Sequence, residues 1–219
     1  MELTGEEKNV LSAISFNSEG ILNGDLEDGD KAMLTELRAV GDYLKDKYPG
    51  HRFEITGCEP KEGTARAYNE WYYRAEGITR DAAFIARAEE KDGKPEIKDD
   101  FYGEIIREEA AEEVKRLING CGYKVALVSI DFCEYLGKEF AGKIGALKVL
   151  KGEIPAGNDI KIFIDGSGID ESAYDKTISE IEKNLKKAGV KGEIYVVLLK
   201  SADGDVIRDR LYSDSFALE

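Results

Sequence analysis

The sequence predicts an α+β fold in two parts. A helix, a three-stranded antiparallel sheet and a second helix come first, followed by a smaller mixed α/β unit with a βαβ core. Three observations carry this: apolar residues recur at helical spacing up to Tyr48, alternate at every second position between His51 and Glu89, and follow a strand, helix, strand order after Gly122. A length of 219 residues suits one large domain or two small ones. With its break at the glycines of 120–122, the chain divides into an acidic N-terminal segment or tether (1–25), an α-β-β-β-α domain (26–120) and a β-α-β-α-β-β domain (121–219).

Each element has its own signal. From Leu26 to Tyr48, the residues Met33, Leu34, Leu37, Val40, Leu44 and Tyr48 form one apolar helical face, which Pro49-Gly50 ends. His51–Gly57, Ala67–Glu76 and Asp81–Glu89 alternate as strands. One face of that sheet carries His51, Phe53, Ile55, Trp71, Tyr73, Ala75, Ala82, Phe84 and Ala86, apolar enough to cover the helix. A helix over Gly103–Asn119 turns Ile105, Ile106, Ala110, Val114, Leu117 and Ile118 inward. Lys124–Ile130 and Asp159–Asp165 read as strands. Between them lies a helical stretch, Phe132 to Leu150, that Gly137, Gly142 and Gly145 break in two. A helix capped by Asp170 and stopped by Gly189 leads into the strand Glu193–Lys200, which implies a right-handed parallel crossover. After the turn residues Ser201–Asp205, Val206–Tyr212 returns antiparallel.

Composition excludes several functions. The 31 Lys and Arg against 45 Asp and Glu leave a net charge of −14, which opposes binding to a phosphate backbone. No apolar run approaches the ~20 residues of a membrane helix; the longest, Ile194–Leu199, suits a buried strand. Residues 1–30 hold eight acidic side chains and one lysine. The first eight lack the basic and apolar regions of a signal peptide, which leaves two readings, a cytoplasmic protein or one whose export signal has been removed.

The candidate chemistry is sparse. Cys58, Cys121 and Cys133 are odd in number, and Cys121 and Cys133 flank a strand too long for a disulfide, so both are expected to be small buried residues. His51, the only histidine, sits in a turn where a structural role is expected. Asp165-Gly-Ser-Gly-Ile-Asp170 lacks the remainder of any phosphate-binding fingerprint and reads as a strand-to-helix turn. Asn23–Asp30 fits no EF-hand register and reads as an acidic helix start. Glu108, Glu109, Glu112 and Glu113 read as a solvated helix face beside Lys115 and Arg116. No catalytic residue, metal ligand or cofactor is assigned.

The outward face of the predicted sheet is the candidate binding surface. It presents Arg52, Glu54 and Thr56, then Tyr68, Glu70, Tyr72 and Arg74, then Asp81, Ala83, Ile85 and Arg87. Of these, Arg52, Tyr68, Glu70, Tyr72, Arg74 and Arg87 are the candidate site residues, because tyrosine and arginine combine apolar contact area with hydrogen bonding. The same face could instead be structural, with the tyrosines packed under another element.

Two stretches, Asp42-Tyr-Leu-Lys-Asp-Lys-Tyr-Pro-Gly-His-Arg-Phe-Glu-Ile55 and Lys98-Asp-Asp-Phe-Tyr-Gly-Glu-Ile-Ile-Arg-Glu-Glu109, together resemble uncharacterised extracytoplasmic lipoproteins of Gram-positive bacteria. The resemblance covers roughly the first half, with a fainter echo in the C-terminal βαβ. It implies no catalytic residues. It implies that the acidic segment tethers the fold to a lipid-modified cysteine upstream, although Met1 is preceded by no lipobox in this sequence. The expectation is therefore a non-enzymatic extracytoplasmic binding or interaction module, lipid-anchored in its full-length form, with a protein or cell-surface ligand as partner. The alternatives are an acidic cytoplasmic inhibitor or immunity-type protein that binds a basic partner, and a carboxylate-dependent hydrolase.

Overall fold

The computed structural model describes residues 2–78, 83–91 and 94–219, and among them the fold is α+β, with an antiparallel and a mixed four-stranded sheet. Backbone contacts divide the chain into two units, Met1–Glu104 with Tyr135–Lys143, and Ile105–Glu134 with Ile144–Glu219. The sequence places its break at 120–122 instead, because nothing local marks that 135–143 leaves the second unit for the first.

In the first unit, the acidic segment expected as a tether is folded. Helices α1 (Gly5–Ile14) and α2 (Ser18–Asn23) bury Val10, Leu11 and Ile21. Thr4 and Glu7 cap α1 reciprocally, each side chain taking the other's backbone N–H. The many acids of this stretch lie on the outward side of an apolar stripe, which net charge alone conceals. Helix α3 (Asp28–Lys47) follows as expected, with Glu27 and Asp30 forming its capping box.

Strands β1 (Phe53–Glu59), β2 (Asn69–Ala75), β3 (Phe84–Lys91) and β4 (Lys94–Asp99) pair antiparallel in that order. The fourth is additional to the three that the sequence predicts. It is an edge strand in which Ile97 is the one apolar side chain, and Pro95 is tolerated because an edge leaves one side of the backbone unpaired. Trp71, Tyr73, Phe84 and Ala86 point into the core against Leu34, Leu37, Val40 and Leu44, as their alternation predicts. Ala82 and Asp81 fall outside the described residues. His51 precedes β1 and packs its ring edge-on to Tyr48 and Phe101. Its place in an aromatic cluster with Phe53 and Phe84 is the structural role that its position predicts.

Helix α4 (Phe101–Asn119) starts in the first unit and continues into the second. It buries Ile106, Ala110, Val114 and Ile118, while Ile105, expected inward, is exposed one position off that stripe. The second sheet runs β5 (Val125–Phe132), β6 (Asn158–Asp165), β7 (Gly192–Leu199), β8 (Arg210–Leu218). β6 and β7 are parallel, joined through a later helix that buries Ile178, Ile181 and Leu185, and β5 and β8 flank them antiparallel.

Four expectations for this half change. The helical stretch after residue 132 reduces to a 3-10 turn, Lys138–Phe140, and the short helix α5 (Ala146–Leu150), because Phe132 extends β5 and Gly142 adopts a φ of +67°. Asp170 precedes a 3-10 turn, and the crossover helix, α6, begins only at Tyr174 (Tyr174–Lys187). β8 starts at Arg210 rather than Val206, since the Asp205 carboxylate takes the N–H groups of Ile207 and Arg208 at 2.9 and 2.8 Å and curls that stretch away from the ladder. Cys121 and Cys133 are exposed rather than buried, one in the turn after α4 and the other just past β5, and Cys58 is half-buried; all three are free thiols.

Candidate functional site

On the outer side of the first sheet, cross-strand register sets Glu59 of β1 opposite Glu70 of β2, and Glu70 opposite Arg87 of β3. Two carboxylates facing each other across a ladder repel. Arg66, from the β1–β2 loop, resolves this by pairing with both, in a close ion pair with Glu70 and at 3.2 Å from Glu59. The Tyr72 hydroxyl donates to Glu59 at 3.2 Å. Tyr68, Glu70, Tyr72 and Arg87 are therefore brought together, each half-buried. Arg52 and Arg74 lie exposed at the opposite end of the strands, with Arg52 near Glu76 at 3.9 Å and Arg74 opposite Glu54.

The centre of the cluster is Arg87. Its guanidinium carbon lies 4.8 Å from the centre of the Tyr68 ring and 4.3 Å from that of Tyr135, so the cation is held between two aromatic rings. Its Nη1 donates to the Tyr68 hydroxyl at 3.2 Å, and its Nε lies 3.4 Å from a Glu89 carboxylate oxygen. Burial, together with the Asp100 and Glu70 carboxylates, pushes the Tyr135 phenol up to about 12. Tyr135 is the residue that sequence reasoning misses. It lies just past a strand of the other unit, and no local pattern ties it to β3.

What holds Tyr135 there is the next residue. Leu136 makes a two-way backbone bridge with Asp99, its N–H donating to the Asp99 carbonyl at 2.9 Å. The Leu136 carbonyl also accepts from the Lys47 ammonium at 2.5 Å. Lys47 and Asp99 form an ion pair at 2.5 Å with both side chains fully buried. The third ammonium proton reaches the Tyr43 oxygen at 3.1 Å, and the Tyr43 hydroxyl donates to Asp99 at 2.7 Å. The other Asp99 oxygen accepts from Tyr48 and from the Phe101 N–H at the start of α4, at 2.8 and 3.0 Å. Three ammonium protons and four carboxylate lone pairs are thus all matched, which is the condition for burying such a pair. Burial still holds the Lys47 ammonium below its usual range, against the pull of Asp99. Tyr43, Lys47, Tyr48 and Asp99 come from the stretches 42–55 and 98–109, which meet in an interior lock.

Other sequence candidates take structural places. Asp165 accepts the Ser167 N–H at 3.1 Å and pairs with Lys124 at 3.2 Å, as a turn residue does. Glu112 and Glu113 pair with Lys115 and Arg116 one turn on. Asp100 has its carboxyl raised to about 6 by burial and by the neighbouring Asp99 and Glu104 charges, while its Oδ1 accepts the Ile85 N–H at 2.7 Å. Among the described residues, no group of three or more His, Cys, Asp and Glu side chains is placed to hold a metal ion, and no helix is long and apolar enough to cross a membrane.

The half-burial of Tyr72 sets its contribution. Tyr72→Ala is expected to cost about 1–2 kcal/mol, between the ~0.5 kcal/mol of an exposed site and the 3 kcal/mol or more of a core tyrosine. A thermal melt checks this, with a midpoint lower by several degrees.

Fold and surface together define a class: an α+β protein with a half-buried tyrosine-arginine cluster on the outer side of an antiparallel sheet. No family model, curated protein or solved structure matches the chain.

Proposed function

We propose that the protein is a non-enzymatic binding or interaction module that uses the outer face of its first sheet, and that it works outside the cytoplasm, lipid-anchored in its full-length form. The observation that carries the binding reading is the Arg87 guanidinium held between Tyr68 and Tyr135. Such stacking fixes large amphipathic rings in place before a partner arrives, which lowers the ordering cost of recognition. Arg66 and Glu70 neutralise one another beside it, so the face offers ring surface and hydroxyls more than net charge. The partner is a protein or a cell-surface ligand.

The extracytoplasmic placement rests on the lipoprotein resemblance. Its test is the genomic reading frame upstream of Met1: a continuous coding sequence with a signal peptide and a lipobox cysteine supports it, and an authentic translation start at Met1 overturns it. For binding, wild-type protein and the variants Arg87→Ala and Tyr135→Ala are immobilised and exposed to cell-envelope extract. The expected result is a component retained by the wild type and reduced at least about tenfold by either variant, as for a central hot spot. Equal retention by all three, or none by the wild type, overturns the assignment.

A further inference from the structure

We propose that a second surface, a groove of about 430 Å3 in the first unit between α1, α3 and the β1–β2 loop, docks a cationic amphipathic segment of a partner protein. Its lining includes none of the residues of the tyrosine face, so the two readings stand independently.

The apolar part of the groove is formed by Leu11, Ile14 and Met33, with Phe16 beside them. Phe16 is 112% exposed, the most exposed large apolar side chain among the described residues. A ring left in water next to an apolar groove forgoes the gain of burial, and such features mark interaction sites. Its position is not a loose one. The neighbours on either side are anchored to the buried Asp30 carboxylate, Ser15 by its hydroxyl at 2.6 Å and Asn17 by its amide at 2.8 Å. Asn17 also donates to the Asp25 carbonyl at 3.0 Å. The link between α1 and α2 is thereby pinned on both sides of the ring, which is presented as a fixed knob.

Charge selects the occupant. Four carboxylates, those of Glu27, Asp30, Glu36 and Glu62, line the groove against Lys61. Asp30 and Glu36 are engaged within the fold, Glu36 through one oxygen that accepts from Asn69 at 2.9 Å and from the Trp71 indole at 2.8 Å. Glu27, whose side chain also accepts in the capping box of α3, and Glu62 are exposed at the rim. They lie in the field of a chain of net charge −14, with eight acidic residues among its first thirty. That field repels an acidic peptide and equally a second copy of this chain, while steering a basic segment inward. The complementary partner is a helix or strand with apolar side chains toward Phe16 and Met33 and Lys or Arg flanking them toward Glu27 and Glu62.

The experiment uses the full chain and two synthetic probes, an amphipathic peptide of about 18 residues in Leu and Lys, and its Leu and Glu counterpart, titrated by calorimetry. The expected result is saturable binding of the Lys peptide and none of the Glu peptide. Phe16→Ala weakens it about tenfold, and Glu27→Lys with Glu62→Lys does the same, while Arg87→Ala leaves it unchanged. Because Phe16 is fully exposed, its variant keeps the wild-type melting curve. Failure to bind the Lys peptide overturns the proposal. So does binding that survives Phe16→Ala, which is charge attraction without the groove. A concentration-dependent dimer that Phe16→Ala abolishes gives the groove to a second copy and overturns it too.

Discussion

Lys47→Met is expected to lower the free energy of unfolding by about 3–5 kcal/mol, the usual cost of removing one partner from a buried ion pair. The Asp99 carboxylate would keep three of its four donors and lose the ammonium that balances its charge. Methionine fills nearly the same volume, so the loss reads electrostatics rather than a cavity. Adding Asp99→Asn to this variant should recover part of the loss, since the neutral amide still accepts hydrogen bonds but leaves no stranded charge. Urea unfolding of the four proteins of the cycle measures both effects. The change should also reach the candidate face: amide exchange at Leu136 should accelerate in Lys47→Met, because the ammonium is one of the groups that hold the Leu136 carbonyl. An unchanged unfolding midpoint would mean that the lock contributes nothing net.

The second large effect has the opposite sign. Asp100→Asn is expected to stabilise the protein at pH 8 by about 2–3 kcal/mol and to change little at pH 4. The Asp100 carboxyl is raised from an ordinary 3.8 to about 6, with burial as the first cause. Between those values the folded state keeps a proton that the unfolded chain has released. Its contribution to stability is therefore fully present below pH 3.8 and is lost as the pH rises through about 6. Asparagine is neutral throughout and retains an oxygen for the Ile85 N–H that Asp100 accepts at 2.7 Å. Melting curves of both proteins across pH 4 to 8 test this; parallel curves would show that Asp100 titrates at an ordinary value.

Much of the first unit was legible because its signals are local. The apolar spacing of Leu34, Leu37, Val40 and Leu44, and the alternation through Trp71 and Tyr73, each state which face is buried. The same alternation placed Tyr68, Glu70, Tyr72 and Arg87 on one outer face, where register brings them together. It could not reveal that Arg52 and Arg74 stand apart from the cluster, since that depends on which strand ends coincide. The acidic first residues conceal their fold, because a net charge averages over a helix whose buried Val10 and Leu11 occupy one side only. β4 leaves no mark in the sequence for a related reason: an edge strand with Pro95 and charged neighbours carries too little apolar pattern to stand out.

What the sequence by itself determined is the α+β class, the inward faces of α3 and the first strands, the parallel crossover from β6 to β7, and the candidate outer face. Each of these follows from a repeat of 2 or 3.6 residues, or from turn chemistry, read within a few neighbouring positions. Only the tertiary structure decided that Tyr135 stacks on Arg87 and that Lys47 and Asp99 are interior. Those pairings join residues 48 and 52 positions apart in the chain. Their cause is the matching of every buried donor to an acceptor, a constraint that acts across the folded unit and leaves no periodic trace along the chain.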